Sequence, residues 1–165
     1  MDKMLRKKKV AILDRDGVIN KKMPTHDYVK CWEEFEFLPR AIEALKVLKS
    51  KGYDIYIITN QRGIARKMMT EDNLHEIHRR MEETLARDGV RLNGIYYCPH
   101  ENNECECRKP KAGLFYQAAK EHLFDLAQAI NIGDSQSDLE AGELAGCKNI
   151  YMESNGNLLE IVKNL

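Results

Sequence analysis

Val10-Ala11-Ile12-Leu13-Asp14-Arg15-Asp16-Gly17-Val18 is the stretch on which the reading of the whole chain turns. Four consecutive apolar residues fit a strand buried on both faces, and the run stops at an acidic side chain. A carboxylate at the tip of a buried strand is costly unless a cation or hydrogen-bond donors meet it. Two carboxylates one residue apart can divide labour, Asp14 attacking an electrophilic centre while Asp16 exchanges protons. Gly17 lets the backbone turn sharply after the strand. Alone, Asp-x-Asp is also a common turn or capping pair, so the other strand ends have to decide.

Outward from this stretch, short apolar runs alternate with helical spacing. Ala41, Ala44, Leu45 and Leu48 fit one face of a helix that Gly52 can stop. Tyr53–Ile58 reads as a strand ending at Thr59-Asn60. Thr70 can cap a helix with an inner face of Leu74, Ile77, Met81 and Leu85. Further strands are expected at Ile95–Tyr97, Ala129–Ile132 and Asn149–Met152, and further helices at Gly113–Leu123, Ser137–Ala145 (closed by Gly146) and Leu158–Val162. This alternation predicts an α/β fold, a Rossmann-like three-layer sandwich around a mostly parallel sheet. Residues 1–165 are read as a single domain. In such sheets ligands bind beyond the carboxyl ends of the strands. Asp14, Asp16, Thr59, Asn60 and Asp134 all fall there and should converge on one pocket.

The chemistry of those ends is consistent. Thr59-Asn60-Gln61 offers a hydroxyl and backbone N–H groups to phosphoryl oxygens. Arg108-Lys109-Pro110-Lys111 offers a fixed positive charge. Gly133-Asp134-Ser135 offers a carboxylate for a divalent cation, with Asp138 available to brace the loop or cap the next helix. Carboxylates beside a phosphate are the ligand set expected of magnesium. Each signal alone is weak, but four in order on successive strand ends point to phosphoryl transfer.

Bulk properties exclude other classes. The chain has 165 residues, with 26 basic against 26 acidic side chains, which argues against a nucleic-acid binder. The basic cluster Lys3, Arg6-Lys7-Lys8-Lys9 reads as a solvated arm, and the apolar run behind it is too short for a signal peptide or membrane span. A cytoplasmic monomer is expected. Of five cysteines, Cys98, Cys105 and Cys107 cluster with His100, which matches a closed, structural Cys₃His zinc site rather than a disulfide framework. Zinc there would stiffen the loop that aims Arg108 and Lys109. Cys31 and Cys147 read as ordinary thiols, and His75 and His78 as solvated. Trp32, Phe35 and Phe37 read as core packing, with lining of the pocket mouth as the alternative.

The ordered set Asp14-Arg15-Asp16-Gly17, Thr59-Asn60, Lys109 and Gly133-Asp134 resembles the four motifs of the haloacid dehalogenase-like hydrolase superfamily. Thr59-Asn60-Gln61-Arg62-Gly63-Ile64-Ala65-Arg66 and Ile95-Tyr96-Tyr97-Cys98-Pro99-His100 resemble, more narrowly, the D-glycero-D-manno-heptose 1,7-bisphosphate 7-phosphatases and the related histidinol-phosphate phosphatases. The likeness implies Asp14 as nucleophile, Asp16 as general acid/base, and Thr59 and Lys109 as stabilisers of the transferring phosphoryl group. Magnesium would take a carboxylate oxygen of Asp14, the main-chain carbonyl of Asp16, and Asp134. Arg108 corresponds to a substrate-recognition position, and Thr25-His26-Asp27-Tyr28 to the sugar-contacting loop. Asn60, Gln61 and Arg62 complete the implied substrate set, and Arg62 is placed to meet a second anionic group. The implied function is a magnesium-dependent phosphatase acting on a heptose bisphosphate through an aspartyl-phosphate, with no large cap domain. Histidinol phosphate or another small metabolite is the alternative substrate. A phosphate-binding module is the non-enzymatic alternative, but such a module needs no acid/base pair.

Overall fold

The computed structural model describes residues 7–165. Five parallel strands form one sheet in the order β3-β2-β1-β4-β5, where β1 is Lys9–Leu13, β2 Tyr53–Asn60, β3 Gly94–Cys98, β4 Ala129–Gly133 and β5 Lys148–Tyr151. Five helices cover it: α1 (Ala41–Ser50), α2 (Glu71–Arg87), α3 (Gly113–His122), α4 (Gln136–Ala145) and α5 (Leu158–Val162).

The period of two along β1 builds both layers. Ala11 and Leu13 face a core shared with α1, α2 and α5, while Val10 and Ile12 face a second core shared with α3 and α4. Leu13 pairs with Ile57 of β2 and Ile132 of β4, so the three strand tips lie side by side. Leu45 and Leu48 of α1 are fully buried. Each contributes at most ~3 kcal/mol by area, and truncation to alanine costs about 2–5 kcal/mol once the cavity is included. Between β1 and α1 the chain forms no helix beyond one 3-10 turn, Trp32–Glu34, and β2 reaches α2 through a short loop. No cap domain is inserted at either place.

Local rules explain the helix boundaries. Thr70 and Ser135 each accept from the backbone N–H three residues on, closing capping boxes with Asn73 and Asp138. The Ser135 cap starts α4 at Gln136, one residue earlier than the apolar pattern predicts. Gly52 and Gly146 take left-handed φ of 87° and 84° and end α1 and α4. Leu123 ends α3 in the same conformation at φ 56° without being glycine, so the helix stops at His122.

Two expectations change here. His78 is buried rather than solvated, because its side of α2 faces Arg15. Lys9 belongs to β1 rather than to a solvated arm; Lys7 and Lys8 are exposed, and Lys3 and Arg6 lie outside the described residues. Trp32 stacks on Phe35, which meets Phe37 edge-on, and all three pack against the core, as the packing reading expects. No helix among the described residues is long and apolar enough to cross a membrane.

Candidate active site

The tips of β1, β2 and β4 open into a cleft of about 770 Å³ lined by Asp14, Asp16, Asn60, Lys109 and Asp138. At its floor the Lys109 ammonium donates to Asp14 Oδ1 at 3.0 Å and to the Ile58 carbonyl at 2.7 Å, and pairs with Asp138 Oδ1 at 2.6 Å. Burial pulls this lysine's pKa down, but the charges of Asp138 and Asp14 outweigh it and the net shift is upward. Lys109 is therefore a fixed cation. Its backbone is held as firmly: Asn60 Oδ1 accepts from the Lys109 N–H, and Asn60 Nδ2 donates to the Lys109 carbonyl. Asn60 thus joins the end of β2 to the lysine loop.

Asp14 has its pKa raised well above the usual carboxylate value by burial. Asp138, Asp134 and Asp16 push it further up, against the opposing pull of Lys109. Asp16 goes the other way. Burial raises it, but the Arg15 charge prevails, together with hydrogen bonds from Arg15 Nη2 (2.8 Å), Asn20 Nδ2 (2.9 Å) and Gln61 Nε2 (3.0 Å). Neighbouring carboxylates thus have pKa values driven apart, and before any cation binds Asp14 favours its protonated form and Asp16 its ionised form.

Asp134 sits beneath the cleft with its side chain fully buried. Ser154 Oγ donates to its Oδ2 at 2.5 Å, but Oδ1 has no partner among the described residues. Oxygens of Asp14, Asp134 and Asp138 lie within 4.8 Å of one another. An orphaned buried carboxylate oxygen among mutually repelling acids fits a hard divalent cation. A Cβ on Gly17 would stand 2.1 Å from Asp134 Oδ2, so only glycine at φ 89° lets the post-β1 turn pass this carboxylate. Asp138 accepts from the N–H groups of Asp134 and Ser135, bracing the loop as well as pairing with Lys109.

Most sequence-predicted residues meet in this cleft. Thr25, His26, Asp27, Tyr28, Arg62 and Arg108 line its outer part. Arg62 donates to Tyr28 Oη at 3.2 Å and pairs with Glu101 at 3.2 Å. Buried Nη1 of Arg108 lacks a partner among the described residues. Thr59 and Gln61 are buried and do not line the cleft; Gln61 donates to both Thr59 Oγ1 and Asp16 Oδ2. Gln61 therefore faces Asp16 from behind.

Sequence reasoning missed Arg15, His78 and Asn20, all buried behind Asp16. Arg15 Nη1 lies 3.0 Å from His78 Nε2, which must accept, so the ring proton is on Nδ1. The signal available for Arg15 was a cation locked between two acids directly after a buried strand. Ser154 and Asn155 were missed too, although a polar turn directly after a strand is the same signal that selected Asp134.

Beside the cleft, contacts of 3.0–3.5 Å link Cys98, His100, Cys105 and Cys107. All four donor atoms lie within 4.8 Å of one another, and the cysteines are free thiols. Tetrahedral zinc with ~2.3 Å bonds to sulfur would spread the sulfurs to ~3.8 Å, a small opening of this cluster. The Cys98 carbonyl accepts from the Gln61 N–H, which ties the cluster to the cleft.

Fold and site together define a phosphoric monoester hydrolase of the haloacid dehalogenase-like type. A family profile described as polynucleotide kinase 3 phosphatase matches residues 9–152. A D-glycero-beta-D-manno-heptose-1,7-bisphosphate 7-phosphatase of Haemophilus ducreyi is 41% identical over 160 residues, spanning 92% of this chain and 86% of that one. The enzyme of the same name from Helicobacter pylori is 45% identical, over 86% of this chain and 81% of its own. Among solved structures, the D,D-heptose 1,7-bisphosphate phosphatase of B. bronchiseptica, complexed with magnesium and phosphate, superposes with a TM-score of 0.86. It is 30% identical and covers 94% of this chain and 97% of that one. The chain belongs to the family of the heptose 1,7-bisphosphate 7-phosphatases.

Proposed function

We propose that the protein removes the 7-phosphate of D-glycero-D-manno-heptose 1,7-bisphosphate through a phosphorylated Asp14. The observation that carries this reading is Lys109 fixed between Asp14 and Asp138 at the floor of the cleft, in a chain whose relatives bear that activity in their names. An Asp14 oxygen attacks phosphorus, the phosphorus–sugar oxygen bond breaks, and Asp16 delivers a proton to the departing oxygen. Asp16 then takes a proton from the water that attacks the aspartyl-phosphate, releasing phosphate and restoring Asp14. In the resting site Asp16 is held ionised. It therefore first takes up a proton from solvent, favoured by the negative charge of the approaching phosphate, and passes that proton to the departing oxygen. Lys109 stabilises charge on the peripheral oxygens, while Thr59, buried behind the cleft, accepts from Gln61 and steadies the support of Asp16.

Magnesium, held by Asp14, the Asp16 carbonyl and Asp134, would lower the repulsion between anionic nucleophile and anionic phosphate. The magnesium named for the B. bronchiseptica relative supports it. Zinc on Cys98, His100, Cys105 and Cys107 would order the segment leading into Arg108 and Lys109. The unpartnered Nη1 of Arg108, with Arg62, is suited to the 1-phosphate, and Thr25–Tyr28 and Asn60 to shaping the sugar end, with Gln61 held behind Asp16. The protein would work as a single-domain cytoplasmic monomer, a setting its free thiols suit. A polynucleotide substrate, suggested by the profile's description, is disfavoured by a net charge of zero, which gives no electrostatic drive toward a polyanion.

Phosphate release from both anomers of the heptose bisphosphate, from heptose 7-phosphate and from histidinol phosphate, with and without magnesium, tests the assignment. The bisphosphate should give the highest kcat/KM, and Arg108→Ala should erase its lead over the monophosphate. Equal rates on all four substrates would sink the substrate reading.

A further inference from the structure

Besides Lys109, a second lysine reaches the carboxylate group. Lys22 lies in the loop after β1, and its ammonium stands 3.3 Å from Asp134 Oδ2 on a side chain 45% exposed. It is built into place. The Lys22 N–H donates to Asn155 Oδ1 at 2.8 Å, and the Asn155 N–H donates to the Gly17 carbonyl at 2.9 Å. The aliphatic stem passes alongside Gly17: a Cβ there would lie 3.5 Å from Lys22 Cδ, in ordinary contact. Asp134 therefore offers one oxygen, Oδ2, to Ser154 and Lys22, and keeps the other, Oδ1, buried and unpartnered.

We propose that Lys22 is a tethered counter-cation for the metal pocket, a positioning residue that neutralises Asp134 when the divalent ion is absent and opposes that ion when it binds. The inference rests on the reading that Asp134 holds the catalytic cation. The physical reason is charge crowding. Lys109 sets one charge against Asp14 and Asp138, and Lys22 adds a second positive charge at Asp134. A divalent cation on Oδ1 would share one carboxylate with the ammonium on Oδ2, at a separation where like charges repel. Lys109, buried at 3% exposure and pinned by three acceptors, cannot withdraw. Half-exposed Lys22 can, because water can solvate its ammonium. The residue therefore sets how tightly the enzyme holds magnesium and protects the metal-free fold from the repulsion of its own acids.

The test is magnesium binding by calorimetry to the full chain freed of magnesium by buffer exchange, with thermal melts at zero and saturating magnesium. Lys22→Met keeps the stem and removes the charge. It should bind magnesium about tenfold more tightly than the parent. It should also melt lower than the parent without magnesium and level with or above it when saturated. Lys22→Arg, which keeps the charge, should match the parent in both respects and serves if the methionine variant does not fold. An unchanged or weaker magnesium Kd in Lys22→Met, or a melting deficit of the same size in both states, would overturn the inference. Asp134→Asn is the control. If it retains the parent's magnesium affinity, the metal-site reading falls and takes this inference with it. If it abolishes binding while Lys22→Met is neutral, only the inference falls.

Discussion

Two clusters that could hold metals stand side by side at the carboxyl end of the sheet, and they are built on opposite plans. The carboxylates Asp14, Asp134 and Asp138 hang from strand tips and a capped helix, with Lys109 and Lys22 as internal counter-charges. The thiols Cys98, Cys105 and Cys107 with His100 come mainly from a loop without regular structure beyond the end of β3, and they contact chiefly one another. A site scaffolded by secondary structure and its own cations can keep its shape before an ion arrives. A loop whose donors have only each other depends on the ion for order. On the proposed reading the difference separates reactivity from rigidity: the hard oxygen site would be the place for chemistry, and the soft sulfur site would hold the neighbouring loop.

Crossed substitutions can break this contrast. Lys109→Met leaves Asp14 and Asp138 facing each other uncompensated and should reduce phosphate release about 10³-fold, with zinc content unchanged. Removing one partner of a buried pair also costs about 3–5 kcal/mol, so its melting temperature should drop. Cys107→Ser should do the reverse in kind. It should lose zinc and lower the melting temperature, and it should reduce kcat/KM by about 10- to 100-fold through misplacement of Arg108 and Lys109. Metal analysis, melts and initial rates on both variants decide it. Full zinc content and parental stability in Cys107→Ser would show that the thiol loop stands unaided.

The fold was legible because β1, β2 and β4 carry short apolar runs, broken only by Asn131 in β4, that end on polar residues, and Gly52 and Gly146 mark where helices stop. Asp14, Asp16, Asn60, Lys109 and Asp134 were legible for a related reason. In a parallel sheet the position after a strand is a position in space, so order along the chain becomes convergence in the fold. The supports behind Asp16 were not legible. Arg15 and His78 are 63 residues apart, and nothing in the α2 pattern distinguishes a buried histidine from an exposed one until the helix is docked. Gln61 follows the site motif directly yet turns away from the cleft, because side chains alternate at a strand end and its amide finds Asp16 and Thr59. Lys22 sits in the loop after β1 outside every motif read from the sequence, and only the return of Asn155 after β5 fixes it.

The smallest expected effect tests that hidden support. Burial and the Arg15 charge push the His78 imidazole down to about 3, so it is neutral in the folded protein. The unfolded chain takes up a proton near pH 6.5. The contribution of this group is therefore complete above that pH and is lost progressively as the pH falls toward 3. Between pH 7.5 and 5.5 the loss is about 1.4 kcal/mol. His78→Gln keeps an acceptor for Arg15 but cannot titrate, so urea denaturation of that variant should lack this decline. A parental slope in the variant would place the pH dependence elsewhere.

The central claim is a covalent bond between Asp14 and phosphorus, and it can be read directly. Turnover on the heptose bisphosphate is stopped with acid, the trapped acyl phosphate is reduced with borohydride, and the peptide containing residue 14 is sequenced by mass spectrometry. Homoserine at position 14, absent without substrate and absent in Asp14→Asn, is the predicted result. Unmodified aspartate at position 14 under conditions that release phosphate, or release undiminished in Asp14→Asn, would contradict the account.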